Sequence, residues 1–193
     1  SGALLRRVPC DAAWWPRAMV RVPDMNGNGS DELALLGANR RNGLRAAQIR
    51  DSLTGASLGL VPFDPGYTPV KMLALPDLDG NGASELAVLE RSTSIYVDGD
   101  VPAQAEVRDA RTGLVLRRVD FTGFAHQEGK VDFAALADSN GNGSPELAVV
   151  GNQACCSSSA LVAISDALTG APLRQQFLPR PEYGARVSLA ALP

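Results

Sequence analysis

The sequence predicts an all-β protein built from four-stranded antiparallel propeller blades, and three observations support this fold class. The 193-residue chain contains the same pair of motifs three times, once in each stretch of roughly 55–60 residues. Short runs of Val, Leu and Ala are bounded by Gly, Pro, Asn and Asp, as strands are. No segment combines a helical hydrophobic period with caps at both ends.

An Asp-rich segment opens each repeat. It reads PDMNGNGSDELALL from Pro23, PDLDGNGASELAVL from Pro76 and ADSNGNGSPELAVV from Ala137. The glycines permit a tight turn, and an apolar run follows each time. The pattern predicts a loop between the first two strands of each blade. We call these the first, middle and third Asp-rich loops and count positions from the leading Asp.

A second motif follows each Asp-rich loop. It reads RDSLTGASL from Arg50, RDARTGLVL from Arg108 and SDALTGAPL from Ser165. An Asp followed three residues later by Thr-Gly is typical of a hairpin turn, because Gly supplies a positive φ and Asp bonds the turn backbone. In the middle repeat the predicted strands are Val70–Leu75, Glu85–Leu89, Ala105–Asp109 and Leu114–Phe121.

The three blades are expected at approximately residues 18–63, 69–122 and 130–178. Residues 1–8 resemble the strand after the middle Thr-Gly turn, which predicts the last strand of a preceding blade. Residues 185–193 resemble the strand before an Asp-rich loop, which predicts the first strand of a following blade. Propellers close with four to eight blades, so we expect part of a larger propeller or a segment that self-associates.

The Asp-rich loops place oxygen-bearing side chains at positions one, three, five and nine. Hard cations such as Ca²⁺ take six to eight oxygen ligands. The middle loop carries three carboxylates and the outer loops two each, so the middle site is predicted to bind tightest. Counting the main-chain carbonyl at position seven, the predicted ligands of up to three Ca²⁺ ions are Asp24, Asn26, Asn28, Ser30 and Glu32; Asp77, Asp79, Asn81, Ala83 and Glu85; and Asp138, Asn140, Asn142, Ser144 and Glu146.

The loops have two alternative interpretations, an EF-hand loop and a turn without any metal. An EF-hand needs an acidic residue at position twelve, where this chain has Leu35, Val88 and Val149, and each loop leads into a strand. The EF-hand is therefore rejected. Asn-Gly turns without any metal remain the alternative, but three copies in register favour calcium.

The three Asp-x-[Asn/Asp]-Gly-Asn-Gly-x-x-Glu-Leu segments, numbered from Asp24, Asp77 and Asp138, resemble the calcium loops of integrin-α-like propellers, the FG-GAP and VCBS repeat families. The resemblance covers essentially the whole chain. It implies that each loop joins the first two strands of a blade and holds calcium on one face of the propeller. A Phe-Gly…Gly-Ala-Pro motif is missing, so the likeness is to the broad family rather than to integrins.

The composition argues against three classes of function: nucleic-acid binding, membrane insertion and zinc binding. Lys and Arg total 18 against 21 Asp and Glu, a net charge of −3 that argues against nucleic-acid binding. No apolar run reaches the roughly 18 residues of a membrane span. His126 is the only histidine, and Cys10, Cys155 and Cys156 form no Cys-x-x-Cys pair, so a zinc site is not expected. The pairing of the three cysteines stays open.

Aromatic residues are predicted in the loops between blades, at the end opposite the Asp-rich loops. Such rings bind sugars or peptides, or wedge between blades. The candidates for ligand binding are Trp14, Trp15, Tyr67, Phe124 and Tyr183.

The expected function is a calcium-binding module for adhesion or for binding a protein or glycan, non-enzymatic and extracellular, periplasmic or on the cell surface. A purely structural propeller segment is one alternative. A part of a polysaccharide-degrading enzyme is the other, although its candidate carboxylates Asp98, Asp100 and Glu128 show no special spacing.

Overall fold

The computed structural model describes residues 7–93, 103–121, 131–152 and 160–179. These residues form β-strands joined by turns and loops, and they include no helix that could cross a membrane. The predicted end strands at 1–8 and 185–193 lie outside the described residues, apart from Arg7 and Val8, which are not in a strand.

The strands form three antiparallel sheets of four, each arranged in chain order, which confirms the all-β class and the four-stranded repeat. The first sheet contains β1 (Trp14–Val22), β2 (Glu32–Asn39), β3 (Arg45–Asp51) and β4 (Ser57–Pro62). The second contains β5 (Tyr67–Leu75), β6 (Glu85–Ser92), β7 (Ala103–Asp109) and β8 (Val115–Phe121). The third contains β9 (Asp132–Leu136), β10 (Glu146–Asn152), β11 (Ala160–Asp166) and β12 (Pro172–Leu178).

Two apolar cores hold neighbouring sheets together. On β6, Leu86 and Val88 enter the core shared with the first sheet, whereas Ala87 and Leu89 enter the core shared with the third. Successive residues of a strand point to opposite faces, so β6 is buried on both faces from Glu85 to Glu90. This explains why β6 begins as a continuous apolar run instead of an alternation.

The outer face of the first sheet is exposed. Met19, Met72 and Phe133 occupy equivalent positions, because each pairs with the fourth residue of the following strand. Met72 and Phe133 are 4% and 5% exposed, but Met19 is 61% exposed. Met72 and Phe133 belong to the two cores between sheets. The difference therefore follows from packing, since Met19 belongs to neither core among the described residues.

Candidate metal centres

The three Asp-rich loops fold in the same way around their leading aspartate. In the middle loop, Asp77 Oδ1 accepts a hydrogen bond from the Gly80 amide at 2.7 Å, and Oδ2 accepts one from the Gly82 amide at 2.7 Å. Both glycines have φ near 79°, a conformation that side chains rarely adopt. These backbone bonds, above all the one from Gly82, lower the pKa of Asp77, which keeps the carboxylate ionised.

The glutamate at position nine is the buried member of each loop. Glu32, Glu85 and Glu146 are 0% exposed. One oxygen of each accepts the main-chain amide of position two, at 2.9, 2.9 and 2.7 Å respectively. The other oxygen of each has no hydrogen-bond partner. An unpaired buried acceptor costs about 1–3 kcal/mol, so a cation bound to that atom would remove the same cost in all three loops.

The middle loop concentrates the most negative charge. Asp77, Asp79 and Glu85 each contribute one oxygen to a group whose members all lie within 4.8 Å of one another. Burial raises the pKa of Glu85 to about 7, and the neighbouring Asp79 and Asp77 add to the effect. Burial also raises the pKa of Glu32. A cation bound among these oxygens would offset both the repulsion and the desolvation.

The asparagine at position five sets the position-seven residue in place. Asn81 Oδ1 accepts the Ala83 amide at 2.7 Å, and Asn28 and Asn142 bond the amides of Ser30 and Ser144 at 2.8 and 2.9 Å. A carbonyl oxygen has two lone pairs, so each of these amide oxygens can still accept a second partner. At position three, Asn26 and Asn140 stand where the middle loop has Asp79.

The aspartates of the Thr-Gly motif belong to the same sites, a role that the sequence analysis missed. We call Asp51, Asp109 and Asp166 the turn aspartates. Each accepts a hydrogen bond on Oδ2 from the position-five Asn Nδ2, at 2.7, 2.6 and 2.7 Å. Each also pairs directly with the position-nine glutamate across neighbouring strands.

A signal for this proximity was present in the strand pattern. In a four-stranded antiparallel meander the first and third connections lie at the same end of the sheet, which places both motifs together. The Thr-Gly turns themselves are confirmed as hairpins, because Gly55, Gly113 and Gly170 have φ of 78°, 75° and 74°.

The turn aspartates remain strong acceptors although they are buried. Burial acts to raise the pKa of Asp166, but hydrogen bonds from Thr169, Asn140 and Asn142 outweigh it and lower the pKa to about 2. The same balance lowers the pKa of Asp51 and Asp109. Their ionised oxygens face the loop asparagines at neutral pH.

The donor set consists of oxygen alone. Carboxylate, amide and main-chain oxygens suit Ca²⁺ or Mg²⁺, whereas zinc and copper favour nitrogen or sulfur ligands. The three loops therefore fit a hard divalent cation, and the unpaired glutamate oxygens are the atoms that would gain most from it.

The three aromatic candidates within the described residues, Trp14, Trp15 and Tyr67, lie at the opposite end of the sheets. Trp14 and Trp15 begin β1 and Tyr67 begins β5, so they start strands instead of lying in the connecting loops where they were predicted. Trp14 is buried, whereas Trp15 is 58% exposed, with the Arg40 guanidinium 4.9 Å from its ring centroid.

Of the three cysteines, only Cys10 lies among the described residues, where it is an exposed free thiol. Residues outside the described ranges are Asp98, Asp100, Phe124, His126, Glu128, Cys155, Cys156 and Tyr183.

Comparison of the chain with protein-family models, with curated proteins and with solved structures finds no match.

Proposed function

We propose that the chain is a calcium-stabilised propeller module of the FG-GAP/VCBS type, which binds a protein or glycan outside the cell and has no catalytic activity. One observation carries the proposal: the same loop, with a buried glutamate oxygen that has no partner, occurs three times. Each loop would hold one ion through positions one, three, five, seven and nine.

The propeller assignment is supported by how the sheets adjoin. The first strands β1 and β5 contact each other, as do β5 and β9, and a core fills each space between sheets. Adjacent first strands and face-to-face sheets are the arrangement that radial blades adopt. The resemblance of the loops to FG-GAP and VCBS repeats agrees with this assignment.

Calcium would act on the stability of the fold. The ion supplies a double positive charge where two or three carboxylates converge. A ligand that binds only the native state stabilises it by RT ln(1 + [L]/Kd), about 2.7 kcal/mol per site at a hundredfold excess over Kd. Extracellular calcium modules work at Kd values of about 10⁻⁴–10⁻³ M, which favours a location outside the cytoplasm.

The end of the sheets opposite the loops is the proposed binding surface. Trp15 presents an exposed ring there, stacked against Arg40. An aromatic ring beside a guanidinium suits a sugar ring or a peptide side chain. Calcium at the other end would keep this surface in place without contacting the ligand.

Thermal unfolding in EDTA, in millimolar CaCl₂ and in millimolar MgCl₂ tests the calcium proposal. We expect calcium to raise Tm by many degrees and magnesium by much less, because Mg²⁺ demands a stricter octahedral geometry. The matched control combines Glu32→Gln, Glu85→Gln and Glu146→Gln and should lose the calcium shift. Equal Tm values of the unaltered protein in EDTA and calcium would contradict the proposal.

A second candidate is a propeller segment whose role is assembly. It is favoured by the exposed apolar side chains on the two outer sheets, Met19 at 61% and Phe177 at 57%. Sedimentation velocity across a concentration series distinguishes the two functions. Self-association that Met19→Gln abolishes would support assembly, whereas a monomer at all concentrations would contradict it.

A further inference from the structure

We propose that the turn aspartates Asp51, Asp109 and Asp166 are positioning residues of the cation sites: each holds the position-five asparagine so that its amide oxygen, and not its NH₂ group, is presented to the ion. The inference rests on the proposed calcium function. It assigns a role to a motif that lies 23–28 residues from the asparagines in sequence and outside the predicted ligand set.

The contact recurs in every repeat. Asn28, Asn81 and Asn142 each donate from Nδ2 to Oδ2 of their own turn aspartate, within 2.6–2.7 Å. In the outer loops the position-three asparagine donates to the same oxygen, from Asn26 at 3.3 Å and from Asn140 at 2.9 Å. A contact conserved among three repeats whose other residues differ indicates a role common to the sites.

The acceptor is held rigidly. Asp109 is 0% exposed, and its Oδ1 accepts the Thr112 amide within the hairpin. In the first repeat, Asp51 Oδ1 accepts the Leu53 amide at 2.6 Å, and Oδ2 accepts the Thr54 hydroxyl at 2.8 Å. The direction in which each Oδ2 faces its loop is thus fixed by the Thr-Gly turn.

This rigidity determines the orientation of the amide. In the observed orientation, Asn81 Nδ2 faces Asp109 Oδ2, and Oδ1 faces the Ala83 amide. Asn81 Nδ2 also donates to Asp79 Oδ2 at 3.1 Å. Rotation of the amide by 180° would set oxygen against carboxylate oxygen and NH₂ against N–H, which loses all three hydrogen bonds. The turn aspartate therefore keeps the oxygen on the loop side, where the predicted ligands lie.

The same geometry explains why position five is Asn in all three loops, although Asp is a stronger calcium ligand. An aspartate at that position would place a carboxylate where the donor to Asp109 now lies, 2.6 Å away. Two ionised carboxylates repel each other at that distance, and neither can donate. Position three of the middle loop tolerates an acid, because Asp79 Oδ2 accepts a hydrogen bond from the same Asn81 Nδ2 at 3.1 Å.

A reciprocal exchange tests the inference. The background variant carries Glu32→Gln and Glu146→Gln, so that only the middle site remains intact. Into it are introduced Asp109→Asn, Asn81→Asp and both changes together, with Leu114→Ala, an exposed residue of the same hairpin, as control. Calcium affinity is measured by isothermal titration calorimetry, and folding is checked by Tm in EDTA.

We expect Asp109→Asn to weaken calcium binding by about 10–100-fold, the range found for residues that orient metal ligands. Asn81→Asp should also weaken binding, although a site governed by charge alone would bind tighter. The double exchange should restore most of the affinity, because the hydrogen bond re-forms with donor and acceptor reversed. Leu114→Ala should leave the affinity unchanged.

The outcomes separate the two levels of the proposal. If the background variant itself binds no calcium, the proposed function is wrong. If it binds calcium but Asn81→Asp binds tighter, or the double exchange is no better than the weaker single variant, the positioning role is wrong. Should Asp109→Asn fail to fold, the sign of the Asn81→Asp effect still decides, since Asn81 lies on the exposed loop.

Discussion

Replacing Glu85 by Gln should make the protein more stable without calcium and less stable with it. Glu85 and Glu90 lie on β6, are both 0% exposed, and each has one oxygen without a hydrogen-bond partner. Only Glu85 belongs to an Asp-rich loop. Glutamine keeps an oxygen for the Leu78 amide and removes the charge, so the pair of variants separates ion binding from simple burial of a carboxylate.

The expected gain in stability in EDTA follows from the pKa of Glu85, which burial and the nearby Asp79 and Asp77 raise from 4.5 to about 7. A carboxyl group whose pKa is raised on folding destabilises the folded state as pH increases from the unfolded to the folded value. At pH 8 the cost of the charged form is about 3 kcal/mol, since each pKa unit corresponds to about 1.4 kcal/mol. For a chain of this size that is a Tm increase of roughly 6–12 °C.

Differential scanning calorimetry at pH 8, in EDTA and in millimolar calcium, measures both halves of the prediction. In EDTA, Glu85→Gln should melt above the unaltered protein. In calcium, Glu85→Gln should melt below the unaltered protein, because its middle site has lost a ligand. Glu90→Gln should melt higher in both buffers and keep the full calcium shift. A Glu85→Gln variant that retains the whole calcium shift, or melts lower in EDTA, would refute the reasoning.

Three further predictions follow from single residues. Burial, and then the negative charge of Glu106, raises the pKa of Glu90 to about 8. The unfolding free energy in EDTA should therefore fall between about pH 5 and 8, and Glu90→Gln should reduce the slope of this fall by up to ~1.4 kcal/mol per pH unit. Urea titrations at several pH values measure both slopes, and identical slopes would contradict the prediction. Asp79→Asn should lower the calorimetric calcium affinity of the middle site towards that of the outer sites, because it removes the third carboxylate; unchanged affinity would argue against Asp79 as a ligand. Gly82→Ala has free space around its Cβ, but the φ of Gly82 is 79°, so chemical denaturation should show a loss of about 1–2 kcal/mol from backbone strain alone.

The sequence was sufficient to predict the strands and the Asp-rich loops because both depend on local signals. Glycines with positive φ mark each turn, and short apolar runs mark each strand. The role of Asp109 was missed because its contact with Asn81 joins two motifs 28 residues apart and depends on strand pairing. The sequence did not indicate which of the adjacent Trp14 and Trp15 would be exposed; in the structure the alternation along β1 buries Trp14 and exposes Trp15.

Glu90 was missed for a different reason. Glu90 is the sixth residue of β6, and the sixth residues of β2 and β10 are glycines, Gly37 and Gly151. Its environment combines distant parts of the chain: Gln104 of β7 donates to Glu90 Oε2 at 3.3 Å, and Glu106 of β7 and Asp64, which lies between β4 and β5, add negative charge nearby. Aligning the three repeats would have shown the unusual residue, but not the buried surroundings that give it a high pKa.

In the first and middle loops, the second residue would link ion binding to the packing of the sheets. Its amide bonds the position-nine glutamate, and in the first two loops its side chain, Met25 or Leu78, packs against the core shared with the next sheet. Arg111 of the second Thr-Gly turn also donates to the Met25 carbonyl at 3.3 Å. An ion that fixes Glu32 or Glu85 therefore fixes a residue of the core between sheets.

The third loop lacks this link. Its second residue is Ser139, whose amide and hydroxyl both donate to Glu146 at 2.7 Å and which is exposed. Calcium at the third site should therefore order only its own loop, whereas calcium at the first two sites should also strengthen the packing between sheets. If each loop holds an ion, we expect the three ions to contribute unequally to stability, because only the first two loops join the cores between the described sheets.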